Sequence, residues 1–192
     1  ILFLSTWFPY PPDNGSKTRV YHLLRALGRR HSVTLLSFAF GTARPEQAVP
    51  ADLGCEAVEV VPHDPFERHR LAWALRFFSP QPVVERPVAG MVDLVNATLH
   101  ETPFDVVIAS TTAMAAYALQ AEGVPKVLEE HNCWSRPAFD LYRAQTNPMK
   151  RLRYWASWQK RARYESRAYR RFDLVTMVSG EDGSAASSLL AG

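Results

Sequence analysis

The sequence predicts an α/β chain built as a doubly wound, mostly parallel sheet. Three observations carry this reading. Short apolar runs of strand length alternate with longer stretches of helical spacing along the chain. The opening reads strand, Gly/Pro loop, helix: Ile-Leu-Phe-Leu-Ser at 1–5, a turn-rich segment at 6–16, then Val20, Leu23, Leu24 and Leu27 at i, i+3, i+4 and i+7. The run Phe-Asp-Val-Val-Ile-Ala at 104–109 is almost continuously apolar, as a strand covered on both faces requires.

The elements follow in order. Arg29, Arg30 and His31 suit the C-terminus of the first helix, where cations meet the negative end of the dipole. Residues 33–40 read as the second strand, 41–45 as a loop and 46–53 as a short helix. Residues 55–61 alternate toward a third strand that stops at Pro62, and 63–65 turn. A helix is expected over 66–78, with Leu71, Leu75 and Phe78 in its stripe, broken by Ser-Pro-Gln-Pro at 79–82. Residues 88–100 place Met91, Val92, Val95 and Leu99 on one helical face. After the strand at 104–109, an Ala-rich helix is expected over 111–122, closed by Gly123. Residues 124–130 form the next strand and end in His131 and Asn132. Residues 135–145 read as an interrupted helix. Pro148 suits the first position of a long helix reaching about residue 171, roughly 36 Å. Residues 172–178 are the last strand, and 179–182 begin a final helix. No internal repeat or low-complexity tract is present.

The 192 residues fit a single domain over 1–192. No run of about 18 apolar residues exists, so no membrane-spanning helix is expected. The start has no basic leader and its apolar run breaks at Trp7-Phe8-Pro9, unlike a signal peptide. It lacks an initiator Met and opens directly in a strand, so a piece of a longer protein is expected. Cys55 and Cys133 match no metal spacing and read as two buried or half-buried thiols of a reducing compartment. The net charge is +3, yet residues 150–171 hold nine Lys or Arg against one acid and carry +8, leaving −5 elsewhere.

In an open α/β sheet, ligands bind where strands end. The loop at 7–17 is therefore the first candidate. Gly15, after Asn14, permits either positive φ or close backbone approach to a ligand, set against an ordinary turn. N–H groups at the helix start near Ser16 and Lys17 favour an anion. Lys17 and Arg19 either charge a phosphate site or are solvated. Neither G-x-G-x-x-G nor G-x-x-x-x-G-K-[ST] is present. The second candidate is Glu129-Glu130-His131-Asn132 at a strand end. An imidazole there can hydrogen-bond a sugar hydroxyl or a phosphate, set against a plain surface or packing histidine. Ser110 and Thr111 read as helix N-caps or as ligands. The third candidate is the basic helix 148–171. Trp155, Trp158, Ala162, Glu165, Tyr169 and Phe172 share one seam, with most cations on the other faces. It reads either as a helix packed on the sheet with a solvated basic back, or as a face for anionic membrane headgroups. No nucleic-acid-binding module accompanies it, so no nucleic-acid partner is expected. Glu165 in the seam needs a partner, and Arg19 or Arg136 is expected to supply it.

Residues 1–24 (ILFLSTWFPYPPDNGSKTRVYHLL) resemble the opening of family-4-type glycosyltransferases, retaining enzymes of the GT-B fold, and are most similar to bacterial sugar transferases of exopolysaccharide and surface glycans. The resemblance continues in Phe-Asp-Val-Val-Ile-Ala at 104–109, Leu-Glu-Glu-His-Asn at 128–132, Tyr164-Glu165, and Arg-Phe-Asp-Leu-Val-Thr-Met-Val-Ser at 171–179. It implies a Rossmann-like fold, the N-terminal and mainly acceptor-holding half of a two-domain enzyme, with the donor-binding C-terminal domain absent from this chain. It implies transfer of a sugar from a nucleotide-sugar donor to a lipid-linked or glycan acceptor in surface polysaccharide synthesis, with no metal or other cofactor. Asn14, Gly15 and Ser16 match the loop that meets the donor diphosphate, where the family often has Gly-Gly and this chain has Gly15-Ser16. Lys17 would add charge there. His131 matches the strand-end histidine that contacts the transferred sugar or acceptor. Glu130, Asn132, Ser110 and Thr111 are further candidate binding residues from their own strand-end positions. The family's Glu-x7-Glu pair belongs to the missing domain, so this chain alone should be inactive or nearly so. The expected location is cytoplasmic, at the inner face of the membrane, where the charge of Lys150–Arg171 would face anionic lipid. The alternative is a non-catalytic Rossmann-like module that binds an anionic partner or membrane surface through the basic helix 148–171.

Overall fold

The computed structural model describes residues 1–41, 50–66 and 86–191. Its strands are β1 (Leu2–Ser5), β2 (Thr34–Ala39), β3 (Ala57–Pro62), β4 (Val107–Ser110), β5 (Lys126–Glu130) and β6 (Leu174–Met177). Its helices are α1 (Gly15–Leu27), α2 (Ala89–Glu101), α3 (Ala115–Ala118), α4 (Ser135–Arg143), α5 (Pro148–Tyr169) and α6 (Gly180–Ala191), with 3-10 turns at Ala51–Leu53 and Thr112–Met114. The six strands form one sheet in the order β3-β2-β1-β4-β5-β6, every pair parallel. This is the doubly wound, Rossmann-like order. The strand order reverses between β1 and β4, so the carboxyl ends of those strands border the crevice of the sheet.

Alternation along the strands builds a core on each face. Phe3, Leu35, Val33, Val20, Leu24 and Leu53 pack on the α1 side. Leu2, Leu4, Leu36, Phe38, Val107 and Leu128 face the other way, onto α2, α3 and the end of α5. Leu2, Phe3 and Leu4 are all fully buried, which is why the first strand reads as a continuous apolar run. Burying each such side chain contributes about 1.5–3 kcal/mol.

The apolar rows end in a polar one. The register aligns Ser37, Ser5, Ser110, Glu129 and Thr176 across five adjacent strands. This row lies on the same face as Phe3, two residues earlier on β1, and so on the α1 side. The fold thus lays a band of polar groups across the sheet under the start of α1.

Several sequence expectations change here. The helix expected over 111–122 is only a 3-10 turn and the four-residue α3, although Gly123 does take the left-handed conformation at φ 71°. Thr111 holds the N-cap position of the 3-10 turn, but neither it nor Ser110 caps with its side chain: the Thr111 hydroxyl meets Thr6 just after β1, and that of Ser110 turns to Glu129 on β5. Of the helix expected over 46–53, the described part is the 3-10 turn 51–53, and residues 67–78 of the helix expected over 66–78 lie outside the described residues. The long basic helix forms as expected, with Asn147 Oδ1 accepting from the backbone N–H groups of Met149 and Lys150 and Pro148 in the first turn. Its seam is buried only at the C-terminal end, at Glu165, Tyr169 and Phe172, whereas Trp155 is 42% exposed.

Glu165 does not find the expected arginine. Its Oε2 accepts from the backbone N–H of Ser135 at 3.0 Å and lies 3.7 Å from Cys133 Sγ. Arg136 instead pairs with Glu181, and Arg19 with Glu129. Burial pushes the Glu165 carboxyl above its usual range, only partly offset by the Ser135 hydrogen bonds. Both cysteines are free thiols, Cys133 buried and Cys55 half-buried, and burial raises the Cys55 thiol to about 11. Among the described residues, no helix is long and apolar enough to cross a membrane.

One close approach sets how α1 sits. Gly28 caps α1 with its N–H on the Leu24 carbonyl at 2.8 Å, and it lies against Gly54, which has φ 79°. A Cβ on Gly28 would fall 1.9 Å from the Gly54 carbonyl oxygen, a rigid backbone atom. Gly28→Ala is expected to cost about 2–3 kcal/mol through overpacking, read as a lower urea midpoint. Gly123→Ala, where a Cβ meets nothing within 4 Å, should cost less, through backbone strain alone.

Candidate functional site

The site assembles on the polar row. α1 begins immediately above it, with Asn14 as N-cap: its side chain accepts from the Lys17 N–H at 3.0 Å. This puts the positive end of the α1 dipole at the carboxyl end of β1. Gly15 does not use positive φ, and a Cβ there would meet nothing within 4 Å. Its lack of a side chain leaves the space beside the helix start open, and a shallow depression of about 580 Å³ runs from Gly15 along Thr18, Arg19, His22 and Leu23.

Glu129 and His131 follow each other at i and i+2 out of β5, so both face α1. The Glu129 carboxylate is 4% exposed and draws three partners. Its Oε2 accepts from Ser110 Oγ at 3.0 Å and lies 3.1 Å from His131 Nε2, and its Oε1 is bound by Arg19 Nε. The other imidazole nitrogen, Nδ1, lies 3.2 Å from Ser16 Oγ in the first turn of α1. Residues separated by more than a hundred positions in sequence thus close one network: Ser16 and Arg19 from α1, Ser110 from β4, Glu129 and His131 from β5. An ionised carboxylate only accepts, so Nε2 carries the proton toward Glu129 and the ring is held with Nδ1 facing the helix start. Trp7 stacks over the imidazole with ring centroids 6.2 Å apart and 14° between planes, and Phe66 stacks on Trp7 at 5.6 Å. The imidazole is 7% exposed.

The electrostatics are set by Glu129. Burial alone would raise its carboxyl, but the hydrogen bonds and charges of His131 and Arg19 outweigh that and hold it below its usual range.

The remaining candidates divide. Ser16, Ser110 and His131 come together, and Asn14 and Gly15 shape the helix start beside them. Lys17 is not solvated: it is 6% exposed and its Nζ lies 2.9 Å from Asp13 Oδ1. Glu130 points to the opposite face of the sheet, where Oε1 accepts from the Thr112 N–H at 2.7 Å. It is therefore apart from the His131 network, as strand alternation requires. Thr111 bonds Thr6 across the β1–β4 crevice, Oγ1 to Oγ1 at 3.1 Å, from a backbone at φ 75°, ψ 158°. A β-branched residue there is strained by about 1–3 kcal/mol, a cost typical of residues positioned beside a site. Asn132 is exposed beyond the strand end. Among the described residues, no group of three or more His, Cys, Asp or Glu is placed to hold a metal ion.

Glu129 and Arg19 stand among the candidates that the sequence offers, and Trp7 does not. Glu129 was legible, because it shares the strand face of His131 two residues on. Arg19 was seen as a cation near the helix start, but its partner was misassigned. Trp7 lies in a loop with no periodicity, so no local signal marked it.

The match to known proteins agrees with this architecture. Residues 13–185 match Glycosyltransferase Family 4, and the chain belongs to that family. No curated protein sequence matches the chain. Among solved structures it is similar to Phytolacca americana UGT2 complexed with UDP-2fluoro-glucose and pterostilbene, at 12% identity and a TM-score of 0.50. The alignment covers 92% of this chain and 47% of that one, so the chain spans about half the length of this structural relative. At that identity the likeness concerns the fold: the parallel sheet is that of one Rossmann-like half of a GT-B glycosyltransferase.

Because the Glu129 carboxyl is held below its usual 4.5 in the folded chain, its contribution to stability is complete above that value. It is lost as pH falls through the depressed one. Glu129→Gln should therefore destabilise by about 1–3 kcal/mol at pH 7, leaving Arg19 and His131 without their anion. The gap between wild type and variant should narrow below pH 4.5, as read from urea melts across pH.

Proposed function

We propose that this chain is the acceptor-side half of a retaining glycosyltransferase. The whole enzyme moves a sugar from a nucleotide-sugar donor to a lipid-linked or glycan acceptor in surface polysaccharide synthesis. The reaction then runs in a cleft between this domain and a C-terminal, donor-holding domain, at the cytoplasmic face of a membrane. Family membership supports glycosyl transfer as the reaction class. The single observation that carries the residue assignment is the hydrogen bond between His131 and Ser16. It joins the strand-end imidazole to the first turn of α1, the two places where a sugar and a diphosphate would have to lie next to each other.

In this reading the chain's contribution is positioning and electrostatics rather than covalent chemistry. As the bond from sugar to diphosphate breaks, negative charge grows on the leaving oxygens. The start of α1 offers its positive dipole end there, and Gly15 leaves room for the phosphates to approach. Ser16 supplies a hydroxyl to the same region. His131 orients the transferred sugar or the acceptor hydroxyl, its ring plane set by Trp7 and its nitrogen assignment by Glu129. Lys17 acts through the local field, since Asp13 already holds its ammonium. Glu130, Thr111 and Asn132 then serve by framing the crevice rather than by forming part of the imidazole network. The reading needs no metal or cofactor.

The test uses the two-domain enzyme with a panel of nucleotide sugars, following release of nucleoside diphosphate. One donor should be consumed, and His131→Ala should lower kcat at least about a hundredfold, a loss in the range of a removed transition-state contact. Ser16→Ala should lower it less. Release that is unchanged in His131→Ala would overturn the residue assignment, and no release with any donor from the folded enzyme would overturn the reaction class.

A further inference from the structure

The hairpin of α4 and α5 carries a surface that the site does not use. Its two helices lock together through Phe139, Tyr142 and Trp158, with the Tyr142 and Trp158 rings stacked 4° from parallel and 5.9 Å apart, and Arg151 lies over the Tyr142 ring at 5.3 Å. That packing leaves another side of α5 uncovered. Met149, Leu152 and Trp155, three residues apart along its first turns, are 83%, 66% and 42% exposed. Farther along the same side of α5, the helical spacing brings Arg163 and Arg167, both exposed. One side of the helix thus runs from apolar at the hairpin tip to cationic behind it.

We propose that this tip docks on an anionic lipid surface, with Met149, Leu152 and Trp155 entering the boundary between headgroups and acyl chains and Arg163 and Arg167 meeting the headgroup phosphates. A lipid surface is the occupant that satisfies both parts of the gradient. Exposed long apolar side chains gain nothing from a purely ionic partner, and a purely apolar partner would leave the arginines unanswered. A second copy of the chain is disfavoured by charge: residues 135–171 hold eleven Lys or Arg against two acids, so two hairpins placed face to face repel. The aromatic lock between α4 and α5 gives the tip a fixed shape, which lowers the ordering cost of insertion. The surface deepens the lipid-linked reading of the acceptor, on which its role in the cell rests. Lipid binding itself is measured without the reaction.

The experiment is co-sedimentation of the full chain with vesicles of phosphatidylcholine alone or mixed with phosphatidylglycerol, over a range of salt. The chain should bind the anionic vesicles, bind the neutral ones at least about tenfold more weakly, and release as salt screens the charge. Met149→Ser with Leu152→Ser should weaken partitioning roughly tenfold by removing apolar insertion, and Arg163→Gln with Arg167→Gln by a similar factor on anionic vesicles only. These positions are exposed, so circular dichroism should report an unchanged fold. Absence of vesicle binding, or binding that the Met149/Leu152 pair does not alter, overturns the proposal. So does concentration-dependent dimerisation in sedimentation velocity that the Leu152→Ser change removes, which would assign the patch to a second copy. Transfer by the two-domain enzyme to a water-soluble acceptor should stay within about twofold in the same variants. Failure of lipid docking is therefore distinguishable from failure of the transferase reading.

Discussion

A buried carboxylate is costly unless donors converge on it, and the site is organised by that requirement at Glu129. Three donors come from three elements: Arg19 from α1, Ser110 from β4 and the neighbouring His131 beyond β5. Each is held in place by its own element, so the anion in turn constrains how α1 lies over the sheet and which way the imidazole faces. The same network carries the link to the helix start, because His131 reaches Ser16 with the nitrogen that Glu129 does not use. Removing the charge would loosen the contact between the first helix and the strand end, on which the proposed reaction depends.

This arrangement is possible because of the strand register. Five strands bring a polar residue to the same level, immediately after rows filled by leucine, valine and phenylalanine. The apolar rows make the strands rigid, and the polar row above them supplies hydrogen-bonding groups at the reversal between β1 and β4. Thr111 shows the cost of that placement, with its backbone held in a region that threonine avoids while its hydroxyl meets Thr6 across the crevice. α1 descends to the contact of Gly28 with Gly54 at its far end, so the helix is anchored at both ends and its N-terminus is directed at the crevice.

Much of this was legible from the chain. The strands expected at 1–5, 33–40 and 124–130 lie where the apolar runs place them, and the one expected at 104–109 starts three residues later, as Val107–Ser110, because strands covered on both faces must be apolar without interruption. The long helix from Pro148 was legible from its cap and seam. The Ala-rich segment after β4 was not: its residues favour helix, yet the strained Thr111 and the Glu130 carboxylate on the Thr112 N–H shape its start as a 3-10 turn. Glu165 was expected to hold an arginine because charges seek partners. Instead the start of α4 brought a backbone N–H to it, a contact that spacing along one helix cannot reveal.

The sequence by itself determined the alternation of strands and helices, the polar strand ends, the glycine at the helix start and the cationic bias of the long helix. These are local properties: apolar periodicity, backbone permissiveness and charge are carried by the residues themselves. Only the tertiary structure decided which of the strand-end residues act together. Strand alternation separated Glu129 and His131 from Glu130, although all three are adjacent in sequence. The packing of α1 over the sheet chose Ser16 and Arg19 as their partners and consigned Lys17 to Asp13. The Lys17–Asp13 pair is local, four residues apart, but the Ser16–His131 and Arg19–Glu129 pairs join residues more than a hundred positions apart, and those distances exist only once the sheet has formed.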